Sequence, residues 1–102
     1  MKVYWSVEAA RRLREIAAFV GRDSPDSAHV LVERLLEGSR ELASPPLLGR
    51  RLPEFPDSGL RERLIRPYRL VYLETRRGIE IVTVMHYRQL LPSDFGTQHG
   101  NG

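Results

Sequence analysis

The chain contains no cysteine, and among its sixteen lysine and arginine side chains only Lys2 is a lysine. The first absence excludes a disulfide framework, thiolate nucleophiles and zinc sites built on cysteine. The second leaves nearly all the positive charge on arginine. Its planar, permanently charged guanidinium suits bidentate contact with phosphate and stacking on flat rings. Long apolar runs are missing as well: none approaches the roughly 20 residues that a membrane-spanning helix needs. The opening Met1-Lys2-Val3-Tyr4-Trp5 enters an amphipathic pattern at once, without the apolar core of a signal peptide. A cytoplasmic protein with no membrane partner is the expectation. His29 and His99 have no metal-ligand spacing with another histidine or an acidic cluster, so neither a metal nor a cofactor is expected.

What is present fits one small soluble domain. At 102 residues the chain buries enough surface to fold alone, with little to spare. Charge is unevenly placed. Residues 1–45 carry seven basic and seven acidic side chains, whereas residues 46–102 carry nine basic against six acidic, which supplies the whole net +3. A sequence pI near 9.8 fits an acidic partner, either nucleic acid or an acidic protein segment.

Lys2 to Ser6, rich in Val, Tyr and Trp, reads as a short strand. Ser6 is placed to cap a helix, with Glu8 in its first turn. Ala10, Leu13, Ile16, Ala17 and Val20 recur at helical spacing, and Gly21 is a natural stop. Ser24-Pro25-Asp26 restarts a helix, with Ser24 as cap and Pro25 at the first helical position. Ala28, Leu31, Val32, Leu35 and Leu42 continue one apolar stripe to Pro45-Pro46, where the helix should end. Two such helices joined by about three residues form an antiparallel hairpin. A long loop follows from Pro46 to Gly59. Three strand-like runs come next, Leu60 to Arg66, Arg69 to Thr75 and Ile79 to His86, joined closely enough for an antiparallel meander. The expected architecture is α+β, β-α-α-β-β-β, a helical hairpin on an antiparallel sheet. Residues 1–91 make the domain and 92–102 a flexible, Gly-rich tail. If Arg77 and Gly78 are the two turn residues, Arg69 falls opposite His86 and both point to one face. A slip of one residue separates them.

The order and spacing of these pieces resemble the RelE/ParE superfamily of toxins from type II toxin–antitoxin systems. Carrying the resemblance are Val3-Tyr4-Trp5-Ser6 before a helical hairpin, then Gly49-Arg50-Arg51-Leu52-Pro53-Glu54, then Leu60-Arg61-Glu62. The Tyr68-Arg69-Leu70-Val71-Tyr72 strand and the closing His86-Tyr87-Arg88 complete it. The Gly-Arg-x-x-Pro-Glu element and the Arg-Glu pair resemble the ParE-like branch and the plasmid-stabilisation proteins grouped with it. The resemblance implies a growth inhibitor held inactive by a cognate antitoxin. Its target would be DNA gyrase in ParE-like members, by protein binding, or mRNA on the ribosome in RelE-like and YoeB-like members. A protein-binding module without toxicity is a third reading.

Metal-free RNA cleavage needs a base for the 2′-hydroxyl, cations on the phosphate and an acid for the leaving oxygen. By the resemblance, Glu54 would be the base, Arg69 would stabilise the phosphorane, and His86 or Tyr87 would be the acid. The chain departs from the nuclease pattern at its end, where Arg88 and a further stretch follow the histidine and tyrosine. Each residue also has a structural reading. Glu54 would then neutralise Arg50 or Arg51, and Arg69 would form a cross-strand ion pair with Glu62 or Glu80. Arg50, Arg61, Arg63, Tyr68 and Arg88 are the candidate target-binding residues: Arg61 and Arg63 share a strand face that would track phosphates or be simply solvated. Tyr68 and Tyr87 would stack on bases, whereas Tyr72 and Trp5 read as core.

Overall fold

Ser6 and Ser24, the two serines placed to start helices, both do so. In the computed structural model, which describes residues 1–44 and 49–100, Ser6 Oγ accepts from the Ala9 N–H at 3.0 Å and Ser24 Oγ from the Ser27 N–H at 3.1 Å. Each bond satisfies one of the amide donors that a helix leaves free at its first turn. The first opens helix α1 (Val7–Gly21) after strand β1 (Val3–Trp5); the second opens α2 (Pro25–Arg40), with Pro25 at its first position. A 3-10 turn, Glu41–Ala43, extends α2 and carries Leu42 into the core. The expected helix end at Pro45-Pro46 lies outside the described residues, as do the last two of the chain.

Four more strands follow: β2 (Arg50–Arg51), β3 (Arg61–Ile65), β4 (Tyr68–Thr75) and β5 (Gly78–His86). Their order in the sheet is β1-β5-β4-β3-β2. The β3-β4-β5 meander is antiparallel, as its short connections require, but β1 runs parallel to β5, so the sheet is mixed. The chain between these two strands passes through both helices, β2, β3 and β4 before it returns as β5, long enough for a parallel pairing. β2, placed by the sequence reading inside the long loop, is a two-residue edge strand pairing Arg50 with Glu62 and Arg51 with Arg61.

The β4–β5 register differs from the expected one, for two separate reasons. The turn residues are Arg76 and Arg77, with Thr75 opposite Gly78, whose φ of 135° places it where only glycine is comfortable. Further along, Val71 pairs with Thr83 and Tyr72 with Ile81, so Val82 has no partner and forms a β-bulge. The combined offset puts Tyr68 opposite His86 and Arg69 opposite Met85.

This register sorts the side chains into two cores. Leu70, Tyr72, Ile79, Ile81 and Val84 face the helices and pack with Ala9, Leu31 and Leu35. Val71 and Val82 face the other way and pack with Leu52, Leu60 and Phe95. The second face is closed by the 52–60 loop and by the C-terminal segment. Where a tail was expected from residue 92, Phe95–His99 form a short helix, α3, and Phe95 is buried in that second core. An apolar ring of this size contributes about 1.5–3 kcal/mol on burial, packing without which a five-residue helix could not stand alone.

Candidate functional site

Arg69 sits on β4 with its side chain on the sheet face away from the helices, alongside Val71. Only 4% of it is exposed. Three elements converge on its guanidinium. Glu54, from the 52–60 loop, accepts two hydrogen bonds, from Nη1 at 2.9 Å and Nη2 at 2.6 Å. Glu62 of β3, which pairs with Val71 and so shares this face, accepts from Nη1 at 3.0 Å. The backbone carbonyl of Gln89, past the end of β5, accepts from Nη2 at 2.7 Å. Nε of Arg69 is buried with no acceptor among the described residues.

The carboxylates are anchored in turn. Glu62, with its side chain 1% exposed, also accepts from Arg50 Nε at 2.6 Å across the β2–β3 pair. Glu54 Oε2 accepts a longer bond from the Leu91 N–H at 3.4 Å. Gly49, which starts this motif, lies so close to β3 that a Cβ there would stand 1.8 Å from the Glu62 carbonyl oxygen. The motif from Gly49 to Glu54 therefore brings one arginine and one carboxylate to a single buried cluster.

Electrostatics follow from these contacts. The Arg69 hydrogen bonds hold the Glu54 carboxyl below its ordinary pKa against the opposing effect of partial burial, and Glu54 in turn strengthens the hold of Arg69 on its proton. A carboxylate with a lowered pKa and both oxygens engaged is a weak general base. A guanidinium this buried presents no free edge to a phosphate. Burial also raises the Tyr72 hydroxyl, whose oxygen accepts from the Gly49 N–H.

The other sequence-selected residues lie elsewhere. His86 is opposite Tyr68, whose ring packs against the helix-side core, and the two rings meet edge to face at 5.9 Å. Arg69 and His86 thus project from opposite faces and do not meet. Tyr87 stacks on His86 at 5.1 Å, and the Arg88 guanidinium lies 5.4 Å from the Tyr87 ring centre. Arg61 and Arg63 do share a face, but each donates to a backbone carbonyl, Arg61 to Gly49 at 3.0 Å and Arg63 to Gly38 at 3.3 Å. Arg63 is further paired with Glu41 at 2.5 Å. Trp5 donates from Nε1 to Ser39 Oγ at 3.2 Å, fixing β1 to the end of α2.

The sequence reading named Glu62 as an alternative partner for Arg69 and missed its bond to Arg50. The signal was its place two residues after buried Leu60, on the face of the strand opposite to Arg61 and Arg63, which lie on the helix side. The Gln89 carbonyl left no trace in the sequence, because any residue supplies one.

The model for the ParE toxin of type II toxin–antitoxin systems, parDE, matches residues 3–91. The candidate toxin Y4kP of Sinorhizobium fredii (strain NBRC 101917 / NGR234) is 36% identical over 94 residues, spanning 89% of this chain and 93% of that protein. Among solved structures, a chain of the chromosomal ParDE TA system from P. aeruginosa matches with a TM-score of 0.69 at 24% identity. That match covers 84% of this chain and 95% of the other, and at this identity it speaks to the fold.

Proposed function

The chain belongs to the ParE toxin family of type II toxin–antitoxin systems, and from that premise we propose that it arrests growth by binding a protein target rather than by cutting RNA. The target is DNA gyrase, the one implied by the ParE-like resemblance, and a cognate antitoxin neutralises the toxin in the cytoplasm. No helix among the described residues is long and apolar enough to cross a membrane.

The observation that carries this reading is the closed Arg69 cluster. Of the groups a ribonuclease would use, Arg69 and Glu54 are spent on each other, and His86 stands on the other face of the sheet. Glu54 and Arg69 then act as scaffold, tying the 52–60 loop and the C-terminal segment to β4. Toxicity in this reading depends on the folded surface and survives the loss of the Glu54 charge.

The test is induction in living cells of wild type and Glu54→Gln, with sequencing of RNA ends and a reporter of the DNA-damage response. Growth arrest by both proteins, intact mRNA and an induced damage response are expected. New mRNA ends inside translated codons that vanish in Glu54→Gln would overturn the reading in favour of a ribonuclease. No arrest by wild-type protein that is present and folded would leave a binding module.

A further inference from the structure

Tyr87 follows the last residue of β5 and is pinned there by its N–H, which donates to the Pro67 carbonyl at 2.8 Å. Two arginines stand around its ring, and a third is tied to the turn that carries one of them. Arg66, in the β3–β4 turn, lies 5.4 Å from the ring centre, and Arg88 lies at the same distance and donates from Nε to the Tyr87 hydroxyl at 3.1 Å. Arg34, reaching across from α2, donates to the Arg66 carbonyl at 3.1 Å. All three arginines are exposed. No carboxylate of the described residues lies within 4.0 Å of any of them, as is also the case for Arg14, Arg22, Arg51, Arg61, Arg76 and Arg77, whereas the remaining six arginines are each paired.

The backbone beneath is fixed. The His86 N–H donates to Gln89 Oε1 at 3.0 Å, the Arg88 N–H to His86 Nδ1 at 3.1 Å and the Gln89 N–H to the His86 carbonyl at 3.0 Å. A pre-set cationic platform loses little freedom when a ligand docks.

We infer that this platform of Arg66 and Arg88 around Tyr87, with Arg34 bonded to the Arg66 backbone beside it, is the docking site for an acidic segment of the antitoxin. The inference rests on the toxin–antitoxin reading above and adds a location to it. Carboxylates match the free guanidinium edges, and three unneutralised cations set both charge complementarity and approach rate. Single-stranded nucleic acid fits less well. Base recognition needs an open aromatic face, but here His86 and two guanidinium groups already lie against Tyr87, and Tyr68 is turned edge to face with His86.

The experiment compares wild type, R66E/R88E, and R76E/R77E, which makes the same charge change at the other end of the β4–β5 hairpin. Fluorescence anisotropy is measured with a labelled octaglutamate peptide and, separately, with labelled decauridylate. The peptide is expected to bind the wild type with an affinity that falls as salt rises, to weaken about tenfold or more in R66E/R88E, and to change little in R76E/R77E. Equal weakening in both doubles, or binding of the RNA in place of the peptide, would overturn the site. If charge reversal disturbs folding, R66Q/R88Q carries the same comparison.

Co-expression with the antitoxin from the adjacent reading frame separates this inference from the reading it rests on. Rescue and co-purification of wild type with weakened capture of R66E/R88E support both. Full rescue and equal co-purification of R66E/R88E overturn the docking site and leave the antitoxin reading intact. Failure to rescue the wild type overturns the antitoxin reading itself, and the docking inference with it.

Discussion

Arg69 grips Glu54 through two parallel hydrogen bonds of 2.9 and 2.6 Å, and the pair joins a loop to a strand on the face of the sheet that the helices leave open. With Glu62 and the Gln89 carbonyl it makes one cluster from four separate stretches of chain. A charge cluster this buried costs desolvation, which the mutual attraction and hydrogen bonds offset only while every partner is present.

Removing the cation should therefore be expensive. Arg69→Met leaves Glu62 buried with Arg50 as its remaining partner and frees the Gln89 carbonyl, and a loss of about 3–5 kcal/mol is expected. Arg69→Lys should fall between the two, because one ammonium cannot span both carboxylates and the carbonyl as a planar fork does. Urea denaturation of the three proteins decides it. A loss under about 1 kcal/mol for Arg69→Met would mean that the cluster contributes nothing beyond shape.

The same pair gives a pH dependence with a definite sign. Arg69 lowers the Glu54 pKa in the folded state relative to its ordinary value of 4.5. Between the folded and unfolded values the unfolded chain binds more protons, so stability rises with pH across that window and is complete above it. As pH falls through the folded pKa, this contribution is lost. Glu54→Gln should flatten that part of the curve, which thermal melts from pH 6 down to acid would show. A parallel curve for the variant would remove Glu54 as the titrating group.

How much of this was legible in the sequence depended on range. The caps at Ser6 and Ser24 and the helix stripes are written in neighbouring residues, as are the three long strands. The register was not. It depended on which two residues made the turn and on an unpaired Val82, whose one trace in the sequence is the pair of adjacent apolar residues Ile81-Val82 between Glu80 and Thr83. That single offset separated Arg69 from His86. The α3 helix was equally hidden, since one phenylalanine among Gly, Thr and Gln has no periodicity to read. Arg34 could not be tied to Arg66 and Arg88 from sequence, because α2 meets the β3–β4 turn only in the folded chain.

Phe95 is the anchor of that C-terminal segment. It packs with Leu52, Leu60, Val71 and Val82, and a helix of five residues has no stability of its own. Phe95→Ala should cost about 3 kcal/mol. The amides of residues 95–100 should lose protection against hydrogen exchange well before those of β4 and β5. Unchanged protection there would show that the segment is held by the Gln89 and Leu91 contacts instead.

The two caps should not be worth the same. Ser24 Oγ only accepts, from Ser27, whereas Ser6 Oγ accepts from Ala9 and also donates to the Val82 carbonyl at 2.9 Å. Val82 is the residue that the bulge leaves without a partner in the β4–β5 ladder, so the Ser6 hydroxyl serves a carbonyl that the β4–β5 pairing skips. Ser24→Ala should cost about 1 kcal/mol, as an ordinary cap does. Ser6→Ala should cost about 2 kcal/mol, because it also strands a buried acceptor. Ser6→Gly, which tolerates the cap backbone but lacks the hydroxyl, should recover only the helix-start portion. Equal losses for Ser6→Ala and Ser24→Ala in chemical denaturation would mean that the Val82 carbonyl finds another donor. The bulge would then stand without help from the helix that packs over it.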